Sequence, residues 1–113
     1  MKAAIPRKVE NYMTSDGGDV FHDWLDGLVD QRTKILIDKT VAKIRLGNLG
    51  DHKSVGEGVQ EIRLDHGPGY RIYLGEYGNT LVILLCGGTK KRQQQSIDEA
   101  KRNWKDWKER ISR

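Results

Sequence analysis

Disulfides, a membrane span and a secretory leader are all missing from this sequence. Its one cysteine, Cys86, has no partner in the chain and no CxxC context. That excludes an internal disulfide framework and points to a reducing, cytoplasmic setting. The longest apolar run, LVILLC at 81–86, is far shorter than the roughly 18 residues a membrane span requires. Residues 1–8 lack the apolar stretch of a signal peptide. Only two prolines are present, and the collagen-like class is excluded with the secreted and membrane classes. There is no internal repeat, and no low-complexity tract beyond Gln93-Gln94-Gln95. Charge of one sign is scarce too: 20 Lys and Arg stand against 16 Asp and Glu, for +4 over 113 residues. No arm or tail stands apart in charge, so a single domain over 1–113 is expected, since two would each be too small to bury a core. The modest basic excess permits nucleic-acid binding without requiring it.

Cofactor and metal motifs are equally sparse. Gly56-Glu57-Gly58 and Gly67-Pro68-Gly69 lack the third glycine of a dinucleotide fingerprint, and neither lies between a strand and a helix. No phosphate-binding loop of the Walker type is present. His22, His52, His66 and Cys86 have no metal-ligand spacing, so no metal and no cofactor is expected. Cys86 closes an apolar strand, where a thiol is a small buried hydrophobe rather than a nucleophile.

What is present alternates in two periods. Residues 7–13 read as a first strand that ends in the turn formers Thr14 to Gly18. Asp19 is a helix N-cap, followed by Phe21, Trp24, Leu25 and Leu28 at helical spacing. A second helix spans about 31–46, with Ile37, Val41 and Ile44 as its stripe and Gly47-Asn48 as its stop. Residues 59–64 and 70–74 alternate apolar and polar, and 80–86 is almost continuously apolar, as a central strand is. These three form an antiparallel meander. Ser96 opens a last helix through the capping box Ser96-Ile97-Asp98-Glu99. Ile97, Ala100, Trp104, Trp107 and Ile111 form its buried stripe, with the tryptophans as core anchors rather than a base-stacking platform. The expected class is α+β, in the order β-α-α-β-β-β-α, with an antiparallel sheet carrying its helices on one face.

The remaining pattern is basic. If Ile62, Leu64, Ile72 and Leu74 face the helices, Arg63, Arg71 and Tyr73 face away from them. Lys53 precedes these strands, and Lys90, Lys91 and Arg92 follow the last one. Such a surface suits a phosphodiester: arginine grips phosphate oxygens and stabilises the charge of a pentacoordinate transition state. RNA brings its own 2′-hydroxyl nucleophile, so no metal is needed. The ordinary alternative is a solvated sheet face whose charges do nothing specific.

Taken together, the segments GNxGDxK at Gly47–Lys53, GPGYRxY at Gly67–Tyr73 and LLxGGxKxxQ at Leu84–Gln93 resemble the RelE/ParE toxin superfamily. The resemblance covers about residues 7–108 and is strongest to its HigB-like addiction module killer branch. It implies a RelE-like microbial RNase fold and the toxin of a type II toxin–antitoxin system. Such toxins are mRNA interferases, metal-independent endoribonucleases that act on the translating ribosome. The implied partners are a cognate antitoxin of the helix-turn-helix Xre type, the ribosome with its mRNA, and operator DNA only through the antitoxin, with no membrane. Residue by residue, the resemblance assigns catalysis to Arg71, Arg63 and Lys90 (or its neighbour Lys91), while the basic pattern itself suggests RNA binding by Lys53, Tyr73, Lys91 and Arg92. Glu61 and Ile97 stand where the family has a lysine and a tyrosine, and an arginine's pKa is too high for a general base. Two other readings follow from the same resemblance: a ParE-like gyrase inhibitor, and a non-catalytic nucleic-acid-binding partner of a repressor complex.

Overall fold

The computed structural model describes residues 5–112; residues 1–4, part of the stretch read as lacking a leader, and Arg113 lie outside the described residues. The elements are β1 (Lys8–Asn11), α1 (Val20–Asp26), α2 (Gln31–Arg45), β2 (His52–Gly56), β3 (Val59–Arg63), β4 (Tyr70–Tyr77) and β5 (Leu81–Thr89). A 3-10 turn (Lys90–Arg92) then leads into α3 (Gln93–Ile111). The strands form one sheet in the order β1-β5-β4-β3-β2.

The α+β class holds, with two corrections to the expected architecture. The sheet is mixed rather than antiparallel, because β1 runs parallel to β5, with Lys8 opposite Leu81. The helices also cover both faces rather than one. On one face α1 and α2 bring Phe21, Ile37, Val41 and Ile44 against Ile62, Leu64, Ile72, Leu74, Val82 and Leu84. On the other, α3 brings Ala100 and Trp104 against Val59, Tyr73, Ile83 and Leu85. The cause lies in β5, which is apolar at both parities, and a strand with two apolar faces must be covered twice. A bulge between Tyr73 and Leu74 adds Cys86 to the α3 side.

Local chemistry fixes the helix ends. Asp19 accepts from the His22 amide at 3.1 Å and Asp30 from that of Arg32 at 3.0 Å, each a side-chain N-cap. Past α2, the Gly47 amide donates to Ile44 and the Asn48 amide to Lys43, both at 2.9 Å, the paired bonds of a Schellman stop. The last helix departs from expectation. It begins at Gln93, with Arg92 at the N-cap and no side-chain cap. Ser96 lies inside it, buried against Gly88, and its carbonyl accepts the Cys86 thiol at 3.4 Å. Ile111 is 45% exposed and does not extend the stripe. The strand β2 adds an edge that the glycine-rich stretch before residue 59 did not announce.

Candidate functional site

The site is built where three segments end together. Arg63 and Arg71 are direct cross-strand partners in the β3–β4 ladder, as are Glu61 and Tyr73 two positions along. Two arginines directly opposite repel each other, at a cost of a few tenths to about 1 kcal/mol unless each has a counter-ion. Both have one. Arg63 Nη2 lies 3.4 Å from Asp51 Oδ1, and Arg71 Nε lies 3.7 Å from Glu61 Oε2.

Gly69 joins the motifs. Its carbonyl accepts from Arg71 Nη1 and from the Lys90 amide, each at 2.9 Å. Its backbone is left-handed (φ 77°), and a Cβ there would sit 3.1 Å from the Lys90 Cβ and 3.2 Å from Arg71 Nη1. Only glycine fits the conformation and the space together. Around it opens a cleft of about 340 Å³ lined by Asp51, Arg63, Leu64, Asp65, Gly69, Arg71 and Lys90. The three residues assigned to catalysis, Arg63, Arg71 and Lys90, therefore line one cavity.

Glu61 lies behind it. The residue is fully buried, and its Oε2 accepts from the Tyr73 hydroxyl at 2.9 Å and from Gln93 Nε2 at 2.8 Å. Lys53 Nζ stands 3.9 Å from its Oε1. A buried carboxylate needs this degree of compensation. The sequence marks Glu61 as a departure from the family's lysine but not as a buried residue, because alternation cannot distinguish a solvated face from one that α3 covers.

Several assignments move. Arg71 does not lie on an open sheet face; it is 7% exposed. Tyr73 is completely buried and cannot stack on a base. Burial first, and then its hydrogen bond to Glu61, push its phenol above the ordinary 10.0, which keeps it a neutral donor. Lys53 is exposed but belongs with Glu61 rather than with the cleft lining. Lys91 is exposed on the 3-10 turn. Arg92 lines a separate cavity of about 410 Å³ with Trp24, Gly87 and Glu99. Cys86 is buried, and burial raises its thiol well above the ordinary 9.0, as befits a core side chain. The sequence reading missed Asp51, Asp65 and Gln93. Asp51 and Gln93 had a signal, as the Asp of GNxGDxK and the closing Gln of LLxGGxKxxQ; Asp65 had none.

No family model matches the chain. Its sequence is similar to that of an uncharacterized protein of Haemophilus influenzae (strain ATCC 51907 / DSM 11121 / KW20 / Rd). The two are 46% identical over 81 residues, which cover 72% of this chain and 82% of that protein.

Proposed function

This chain belongs to the family of that uncharacterized Haemophilus influenzae protein, and from the chemistry of its Arg63–Arg71–Lys90 cleft we propose that it is a type II toxin of the RelE/ParE kind, a ribosome-dependent mRNA endonuclease. The observation that carries the reading is the convergence of three cations from three separate segments on one cleft. A phosphodiester in that cleft meets Arg71 and Lys90 where charge develops as the 2′-oxygen bonds to phosphorus, its proton passing to water. The P–O bond to the 5′-oxygen breaks, and that oxygen leaves with a proton from Lys90 or water. Arg63 neutralises a neighbouring phosphate. Arg71 is positioned by the Gly69 carbonyl and by the Glu61 carboxylate, so little reorganisation accompanies reaction, which is where electrostatic catalysis gains most. Tyr73 holds Glu61 in place and takes no proton. The resemblance of GPGYRxY and LLxGGxKxxQ to the toxin superfamily supports the same reading. In it the toxin works in the cytoplasm and is silenced by a helix-turn-helix antitoxin.

Pulse labelling after induction, with primer extension on a translated message, tests the proposal. The expected result is loss of protein synthesis within minutes, together with new 5′ ends that disappear when translation is blocked. Stalled replication with an SOS response and intact mRNA would instead identify a gyrase inhibitor. Normal growth would identify a non-catalytic binding partner.

A further inference from the structure

A second concave surface lies on the α3 side of the sheet. It is a groove of about 480 Å³ lined by Glu57, Lys101, Arg102, Trp104, Lys105 and Lys108. Four of its six lining residues are cations, against one carboxylate, while the whole chain carries only +4. The sign is thus concentrated locally. Lys101, Lys105 and Lys108 recur at i, i+4 and i+7, one face of the helix. They span about 10 Å of helix axis, the rise of about three stacked nucleotides at 3.4 Å each. The groove floor is firm, because Trp104 is buried and Lys108 Nζ lies 5.3 Å from its ring centre. The single carboxylate, Glu57, is exposed and sits 3.7 Å from Lys101. Such a surface pair is weak, so a phosphate can displace it.

The strand β2 runs from the cleft to the groove. Asp51, next to β2, meets Arg63 in the cleft, and Gly56 at the far end of β2 faces the Lys101 ammonium. Five residues of strand separate these points, about 17 Å. Lys53, on the α3 side of β2 opposite Glu61, stands between them. We propose that this groove binds the phosphate backbone of RNA that continues from the cleft, so that α3 and β2 form a track for the strand flanking the scissile phosphate. The proposal rests on the reading of the chain as an RNA-binding protein. It goes further in naming a second set of contacts that hold the strand without touching the reacting atoms.

The test is fluorescence anisotropy with a labelled, unstructured 12-nucleotide RNA carrying 2′-O-methyl groups, which prevent cleavage. The variants are Lys101→Gln/Lys105→Gln/Lys108→Gln and the milder Lys105→Gln/Lys108→Gln, which spares half-buried Lys101; circular dichroism checks that both are folded. The triple variant should bind about tenfold or more weakly than the wild type, and the slope of log affinity against log salt should fall by about 2, at roughly 0.7 per lost single-strand contact. The double variant should show about two-thirds of that slope change. Wild-type affinity and slope in the folded variants would overturn the proposal. So would the absence of RNA binding by the wild type, or displacement of the RNA by a polyglutamate peptide at equal concentration. Induction that leaves translated mRNA intact would sink the endonuclease reading, and a lysine-dependent RNA affinity would then still uphold the groove.

Discussion

On the proposed reading Arg71 serves stability and chemistry at once, and the two can be separated. Its guanidinium answers the buried Glu61 carboxylate from 3.7 Å and is anchored by Gly69. Removing one partner of a buried ion pair costs about 3–5 kcal/mol. Here Lys53, Tyr73 and Gln93 still compensate Glu61, so Arg71→Ala should cost a smaller amount, about 1–3 kcal/mol. Arg71→Lys keeps the charge but loses the fork. It should stay within about 1 kcal/mol of the wild type in urea unfolding, while cleavage falls about 100-fold or more. Full cleavage by the lysine variant would show that the cleft is not the reacting centre. Tyr73 offers a test by pH. Its folded pKa is raised above the ordinary 10.0, so its contribution to stability is complete below pH 10. As pH rises further the unfolded chain ionises first, and that contribution is lost. Tyr73→Phe should cost about 1–2 kcal/mol at pH 7, through the donor lost to Glu61. It should also soften the alkaline fall in stability. Denaturant midpoints from pH 7 to 11 check both, with buried Cys86 keeping its own share of the alkaline limb in each protein.

Among the elements, the two faces of the sheet are each fixed by a tryptophan laid on a glycine. A Cβ on Gly75 would come within 2.5 Å of Trp104, and one on Gly87 within 2.2 Å of Trp24. Both contacts are with rings held between backbone and core, so neither can give freely. Gly75→Ala and Gly87→Ala should each destabilise by about 1–3 kcal/mol or more, whereas alanine at Gly78, which has open space around it but a positive φ of 63°, should cost only about 1 kcal/mol. Thermal melts of the three variants rank these effects, and equal losses would contradict the packing account. The same elements show what pattern reveals. The stripe of α2 and the apolar run of β5 were legible because burial imposes a period on them. Which face α3 covers was not, because helical period reports which residues are buried but not against what. The edge strand β2 was invisible because it is exposed at most positions and carries no alternation. Glu61 misled for a tertiary reason: its burial is compensated by Arg71 and Tyr73 from the next strand, and no local pattern encodes that pairing.

Across the whole molecule, cations and carboxylates are interleaved on both faces of the sheet. The cations of the cleft lie at the Arg63–Arg71 end of β3–β4, and those of the α3 groove lie toward the Val59–Gly75 end. The hairpin of α1 and α2 and its approach carry Glu10, Asp16, Asp19, Asp23, Asp26, Asp30 and Asp38, matched in number by Arg7, Lys8, Arg32, Lys34, Lys39, Lys43 and Arg45. Part of that acidity is structural. Asp19 and Asp30 cap helices, and Asp16 is held below the ordinary carboxylate range first by Thr14. Asp23, Asp26 and Asp38 are exposed on that side among the equally exposed Arg32, Lys39, Lys43 and Arg45, so its charge selects neither an acidic nor a basic partner segment. If the chain is the proposed toxin, an antitoxin has two routes: an acidic segment across Arg63 and Lys90, or attachment elsewhere that blocks entry to the ribosome by bulk. Arg71 is a poor probe of the choice, since a carboxylate at its position would face buried Glu61 and unsettle the fold. Arg63 and Lys90 are exposed and suit the purpose. The HigB-like resemblance favours attachment beside the site, so Arg63→Glu/Lys90→Glu should bind the antitoxin within about 1 kcal/mol of the wild type by calorimetry, the range of peripheral charge changes. A loss above about 3 kcal/mol, the scale of truncating a desolvated charge pair, would place the antitoxin directly over the cleft.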